Sequence, residues 1–521
     1  MSAASRRSLF ILFLITLACS QQPHRRVVVL GFDGLSPQLL FPWTREGELP
    51  SFHQLMKTGS YGILNSTLPP SSAPAWTSCI TGVGPGKHGI FSFIRLIGPV
   101  WEGASAPKLS FNSSMSNDAK TLWEIIGSVD RKSISINVPL TSPPCEINGI
   151  MIAGFPHPSK APLTYPESLE KEIPEYRPDV YGVAVQPGKE DEFLTDVYDI
   201  CEKRERAALE FFDEEDWDLF FAVFTLTDRI QHYFWKYMDS DHPLYTEDRG
   251  GVYHDEIKRA YQRADEILGR FISRLDDYTY LIVMSDHGFR PVRKQVNGNV
   301  FLKEVNSDSM FMLYPTNNFG SVFEVKPRLP LMKSQETDAM REDFIKRMIH
   351  QLETLEDPQT GARIINKTYT REELYSGPHL SEAPDIIAME NEGYLFLNLV
   401  KKQGLTLIQN PPDRSFFSGF HRREGVVFLK GNGVIEGNEL DGNSILDIAP
   451  TVLALLDVTI EQDMEGSPLT EAFVEEMRGK MHTDERFSYD IATAERRYIL
   501  GEEGYLDREV EKELKSIGYV R

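Results

Sequence analysis

Three aspartates in this chain close runs of apolar residues, and three histidines lie near them in sequence. Asp33 ends the run Val27–Phe32, Asp228 ends Phe224-Thr225-Leu226-Thr227, and Asp286 ends a run that begins at Thr279. His232 follows Asp228 by four residues, which on a helix sets both on one face. His287 directly follows Asp286, and His421 lies in Ser418-Gly419-Phe420-His421-Arg422. Taken singly, each has an ordinary structural role: an aspartate caps a helix, and a histidine is hydrogen-bonded in a core. Taken together, they are the ligand types zinc accepts where thiolate is absent. A hydrolytic site of that kind keeps coordination positions open for water or substrate.

A nucleophile is suggested by Pro69-Pro70-Ser71-Ser72-Ala73-Pro74-Ala75-Trp76-Thr77. Pro74 suits the first turn of a helix running to about Thr81. A serine hydroxyl just before that turn meets the positive end of the helix and its free N–H groups, which favour a phosphoryl group. The same position equally suits a capping serine, Ser71 or Ser72.

These residues need elements to hold them. Val27–Phe32, followed by Asp33-Gly34, reads as a buried parallel strand. Ser133–Leu140, Gly149–Phe155, Leu219–Leu226 and Tyr278–Met284 are further strand candidates. Between them lie helical patterns, clearest over His254–Leu275, where Ile257, Tyr261, Ala264, Ile267, Leu268, Phe271 and Leu275 share a face. Alternating strands and helices predict an α/β fold with a mostly parallel central sheet covered on both faces. In such sheets ligands gather beyond the carboxyl ends of the strands, where the aspartates fall.

The expected organisation is a catalytic core over 27–290, an inserted cap over 291–415, a return of the core over 416–469, and a helical, polar tail over 470–521. The insertion is rich in Pro, Lys and Glu, with an amphipathic helix near Thr337–Leu355. After it come a strand at Gly425–Leu429 and a helix at Ile445–Leu456.

The first 18 residues read as a signal peptide, with Arg6 and Arg7 before the apolar run Leu9–Leu17, which is too short to span a bilayer. Residues 19–26 form a linker, and Leu17-Ala18-Cys19-Ser20 resembles a bacterial lipobox, with Cys19 as the lipidated residue. A plain cleaved leader and an uncleaved anchor are the alternatives. The expectation is an exported protein of the bacterial periplasm or cell envelope, held to the membrane by an N-terminal lipid. Cys79 reads as core, and Cys145 and Cys201 are the pair that could form a disulfide.

The 521 residues carry 77 acidic and 55 basic side chains, a formal charge of −22. Nucleic-acid binding runs on Lys and Arg displacing counterions, so this balance argues against nucleic acid as a general partner. The 25% charged and 41% apolar composition is that of an ordinary globular protein, not a collagenous or multi-span one.

The ordered set Gly31-Phe32-Asp33-Gly34, Ser72-Ala73-Pro74-Ala75-Trp76-Thr77, Thr81-Gly82 through His88-Gly89-Ile90, Asp228 with His232, Asp286-His287-Gly288 and Gly419 with His421 resembles the alkaline phosphatase superfamily. Within it the chain is similar to the type I phosphodiesterase/nucleotide pyrophosphatase branch, most closely to bacterial proteins described as phosphohydrolase or phosphomutase. The similarity runs from about Val27 to Leu456. The resemblance implies a phosphoric ester hydrolase with two divalent metal ions, zinc by preference and manganese as the alternative. It assigns Asp228, His232 and His421 to one metal, and Asp33, Asp286 and His287 to the other. Ser72 becomes the nucleophile beside the second metal and one of its ligands, in preference to Ser71 or Thr77. The backbone N–H of Ala73 is then placed to hold a phosphoryl oxygen.

Two positions depart from the branch. Phe93 stands where an Asn usually binds a phosphoryl oxygen, so Lys87, Ser92 or Arg290 is expected to take that part. Trp76 stands where related sulfatases carry Arg, which argues against sulfate esters. A phosphotransferase or phosphomutase would use the same half-site, with the insertion deciding whether water is admitted. A non-catalytic envelope lipoprotein is the third reading, since fold alone does not prove activity.

Overall fold

The run Arg26–Phe32 is buried on both faces and lies at the centre of a nine-stranded sheet. In this computed structural model the described residues are 24–498, apart from 98–107, 159–160, 180–187, 307–309, 317–319, 329–334, 399–405, 412–416, 482–485, 492 and 494–495. The expected leader, Cys19 and the last residues of the tail lie outside them.

The sheet order is Asn438–Ser444, Ser60–Asn65, Glu424–Lys430, Thr279–Met284, Arg26–Phe32, Leu219–Phe224, Ser133–Ile136, Gly149–Ile152, Thr164–Tyr165. Five of its eight neighbouring pairs run parallel. Side chains alternate between two apolar layers: Val28, Leu30 and Phe32 face one, Val27 and Val29 the other. Helices Glu190–Glu214, Leu226–Met238 and Glu256–Ile272 cover the first layer. Ser72–Thr81, Leu122–Gly127 and Ile448–Leu455 cover the second. The α/β architecture is the expected one. Its register sets Phe32 beside Phe224 and Gly31 beside Met284, so three central strands end level. The residues just past their carboxyl ends therefore meet at one edge of the sheet.

The strand Gly288–Asn297 leaves this sheet. Its start pairs with Gly419–Arg422, placing Phe289 opposite His421. Its end pairs with Gly393–Leu397 and Ile408–Gln409. A four-stranded antiparallel sheet comes next, in the order Phe311–Pro315, Ser321–Pro327, Ile386–Glu390, Ile365–Thr370. Phe344, Met348 and Leu352 of helix Gln335–Glu353 join its apolar cluster, which is separate from the two layers of the main sheet.

The described part of the tail, within 470–498, is less helical than expected, and the rest of the expected tail lies outside the described residues. Among the described residues of 470–498 there are a 3-10 turn at Thr470–Ala472, a four-residue helix at Glu475–Arg478, a short strand at Arg486–Phe487 and isolated bridges from Phe473 to Val434 and from Tyr498 to Cys145. The backbone groups are used elsewhere: Ile435 N–H donates to the Ala472 carbonyl, Val474 N–H to Gly433, and Gln462 N–H to Phe487. Phe473, Met477 and Tyr489 are buried against the sheet. A segment strapped on by side chains at irregular spacing has no continuous helical face to bury. Cys79, Cys145 and Cys201 are all free and buried, so no disulfide joins the latter two.

Candidate active site

Helix Ser72–Thr81 begins at the edge where the central strands end. Ser71 precedes it with extended backbone and makes no side-chain cap. Ser72 and Ala73 occupy the first two helical positions, whose N–H groups have no partner within the helix. The Ser72 hydroxyl lies 3.2 Å from His287 Nε2. Thr77 is turned away, donating its hydroxyl to the Ala73 carbonyl at 2.8 Å.

Two glycines allow the close packing at this edge. A Cβ on Gly31 would lie 2.3 Å from the Trp76 ring, so only glycine lets the indole cross the central strand. That indole donates to Asp33 Oδ2 at 3.1 Å. Gly34 has φ +77°, and a Cβ there would lie 2.7 Å from Phe289 and 3.1 Å from the Asp228 backbone. Its N–H points to Asp286 Oδ1 at 3.4 Å.

The three histidines are oriented by one device. His232 Nδ1 meets the Gly419 carbonyl at 3.2 Å, His287 Nδ1 the Gly288 carbonyl at 3.2 Å, and His421 Nδ1 the Pro70 carbonyl at 3.0 Å. A carbonyl only accepts, so each Nδ1 carries the proton and each Nε2 presents a lone pair. The Nε2 atoms converge. His421 and His232 are 3.1 Å apart at Nε2, and both approach Asp228 Oδ1, at 3.4 and 3.3 Å. His287 Nε2 lies 3.3 Å from Asp286 Oδ2 and 3.5 Å from Asp33 Oδ1. The candidate ligand atoms of Asp33, Asp286 and His287 all lie within 4.8 Å of one another, as do those of Asp228, His287 and His421.

All six residues are buried. Asp33 Oδ1, Asp228 Oδ1 and Asp286 Oδ2 have no hydrogen-bond partner. Burial and the neighbouring Asp228 charge push Asp33 up to about 8. Burial and Asp33 raise Asp286 well above the usual carboxylate range. Burial opposes the charge on Asp228 too, but the Arg229 guanidinium bonded to it helps hold that carboxyl well below its ordinary value. Burial lowers His287 strongly and His421 as well, which keeps both neutral, as ligand imidazoles must be. Three orphaned carboxylate oxygens facing three imidazole lone pairs make a donor set fit for divalent cations.

The other expected residues fall differently. Ser92 lines a cavity together with Pro70, Ser71 and His421. Lys87 is directed elsewhere: its ammonium meets the Asp463 carbonyl at 2.8 Å and Glu465 at 3.6 Å. Arg290 is engaged by Glu390 and by the Tyr394 carbonyl. Phe93 packs edge-on against Phe155 in an apolar cluster behind Ala73.

Two parts of the site have no readable signal in the sequence. One is the Trp76–Asp33 bond. The other is Arg229, which grips buried Asp179 through Nε and Nη2 while Nη1 reaches Asp228. The Trp76–Asp33 and Arg229–Asp179 pairs join residues far apart in the chain, and nothing in local spacing marks them.

No curated protein matches the chain. Among solved structures, human ectonucleotide pyrophosphatase/phosphodiesterase 5 is similar at 16% identity and a TM-score of 0.49, covering 86% of this chain and 98% of that one. The murine protein of the same name gives 16% and 0.48, covering 86% and 100%. The family model for type I phosphodiesterase/nucleotide pyrophosphatase matches residues 27–421, most of the chain and every residue of the cluster. The chain belongs to the type I phosphodiesterase/nucleotide pyrophosphatase family, whose members are phosphoric ester hydrolases.

Proposed function

We propose that this chain hydrolyses a phosphoric ester through a phospho-serine on Ser72, at a site holding two divalent cations, with zinc the better match. The observation that carries this reading is the convergence of three imidazole Nε2 atoms on three carboxylate oxygens without partners, with the Ser72 hydroxyl at its edge. Asp228, His232 and His421 would hold one cation. Asp33, Asp286 and His287 would hold the other, beside Ser72.

When bound, the cations supply Lewis acidity that lowers the hydroxyl pKa and offsets developing negative charge. The chain's own groups do the rest. The helix start directs the Ala73 N–H at a non-bridging phosphoryl oxygen. Ser72 Oγ attacks phosphorus as the ester P–O bond breaks, and the proton the serine gives up ends on the leaving oxygen, so the alcohol departs neutral. Water then attacks the phosphorus of the phospho-serine and the Ser–O–P bond breaks; one water proton returns to Ser72 Oγ, and phosphate leaves from a monoester or a phosphate monoester from a diester. The fixed Nδ1–H tautomers keep the histidines aimed throughout. Phe93 and its apolar cluster leave the phosphoryl oxygen to the helix N–H groups.

The occupancy of the site tests the reading. Metal analysis and diffraction at the zinc absorption edge are expected to find two ions per chain, one in each ligand set. Ions bound only elsewhere on the surface would defeat it.

A further inference from the structure

A cavity of about 70 Å³ opens from His421 toward the insertion. Pro70, Phe93, Val322 and Phe420 give it apolar walls. At its far side lies an ion pair: Arg290 Nη2 donates to Glu390 Oε2 at 3.2 Å, and both side chains are more than nine-tenths buried. Arg290 is otherwise used by the carbonyls of Tyr394, at 2.6 Å, and Asn391, at 3.3 Å. The second oxygen of Glu390, Oε1, is buried and meets no donor. It lies at the cavity wall: among the described residues beyond its chain neighbours, the atom a Cβ built on Gly320 would meet is that oxygen, at 4.0 Å.

A buried carboxylate oxygen with no donor is costly, and a ligand that supplies the donor removes the cost. The cavity adjoins His421, and in-line attack by Ser72, which lies beside His287, would send the leaving oxygen toward the other ligand set, to which His421 belongs. Its size limits the guest. A cavity near 150 Å³ holds benzene, so this one takes on the order of three or four heavy atoms.

We infer that this cavity receives the departing alcohol of the ester, and that Glu390 Oε1 selects a short alkyl group ending in an N–H or O–H donor. The substrate class is an aminoalkyl or hydroxyalkyl phosphoric ester. The inference rests on the reading of the Ser72 cluster as the reacting centre. Selection comes from the partner: an alcohol without a donor leaves Oε1 as it is, whereas one with a donor completes it. The insertion thus takes part in choosing the substrate, since Val322, Gly320 and Glu390 all come from it.

Binding to the zinc-loaded Ser72→Ala protein tests this without turnover. Calorimetry compares methyl 2-aminoethyl, methyl 2-hydroxyethyl and methyl propyl phosphate. One or both donor-bearing esters are expected to bind about tenfold more tightly than the propyl ester, or better. Adding Glu390→Ala should erase that ratio. Glu390→Gln should weaken the aminoethyl ester more than the hydroxyethyl one, which tells the two donors apart. Equal Kd values for all three esters, no binding of any, or a ratio unchanged by Glu390→Ala would overturn the inference. The comparison among esters needs no variant of Glu390, so it stands even if that variant fails to fold. Turnover retained by the Ser72→Ala protein would contradict the nucleophile and not the pocket, which keeps the two failures distinct.

Discussion

Ser72→Ala is expected to lower kcat/KM on any phosphoric ester the protein cleaves by at least about a thousandfold. That corresponds to about 4 kcal/mol of lost transition-state stabilisation. The size reflects the role. Deleting a covalent nucleophile removes a route, whereas deleting a contact only weakens one. Bound metal should persist at saturating zinc, because the three aspartates and three histidines are untouched. The neighbouring hydroxyls offer no rescue: Thr77 is spent on the Ala73 carbonyl, and Ser71 lies before the helix. Steady-state kinetics with metal analysis on the same sample decides it. A variant with metal retained and activity within tenfold of wild type would exclude Ser72 as nucleophile.

The second large effect is on stability, and the carboxylates set its sign. Without cations, burial and the Asp228 charge push Asp33 up to about 8, and Asp286 rises well above the usual range. In the unfolded chain both titrate near the ordinary value of about 3.9. Between these limits the folded state holds more protons than the unfolded one. The stability these groups contribute is therefore full below about pH 4 and is lost as pH rises through about 8. His287 and His421 act oppositely, since burial lowers them, but that change is complete above the ordinary imidazole value of about 6.5. The clean window is pH 7 to 8.

Across that window chelator-treated protein should lose stability, on the order of 1 kcal/mol. Zinc-loaded protein should not, because cations stand where the protons were. The gap in Tm between the two preparations is expected to widen with pH. Taking the difference cancels every titrating group remote from the cluster. Parallel Tm curves from pH 7 to 8 would show that the carboxylates do not share the cation site.

The parts of this site legible in the sequence are those that strand periodicity exposes. A continuous apolar run ending in Asp is a buried strand with an acid at its carboxyl end, which marks Asp33 and Asp286, with His287 beside the latter. Asp228 and His232 are legible through helical spacing. His421 is different. It sits on a four-residue strand after an insertion, and only resemblance to a family places it with the others.

The hidden parts depend on contacts between distant positions. The carbonyls of Pro70, Gly288 and Gly419 that fix the three imidazoles are backbone atoms, and composition says nothing of them. Lys87 reads as available because a lysine in a glycine turn usually is. Its carbonyl partner lies 376 residues further along the chain, beyond the reach of any local pattern. The described part of the tail misleads for a related reason: its scattered apolar residues, Phe473, Met477, Met481 and Tyr489, bury one by one along a strap rather than along a stripe. Glu390 carries no sequence signal either, since its meaning comes from Arg290, 100 positions away.

The most direct measurement of the proposed chemistry is an acid quench during turnover, followed by peptide mass spectrometry. Phosphate is expected on the peptide containing Ser72, localised to that hydroxyl and absent from the Ser72→Ala protein. Ester cleavage at full rate with no phosphate on Ser72 at any quench time, or with phosphate on another residue, would contradict a phospho-serine route through Ser72.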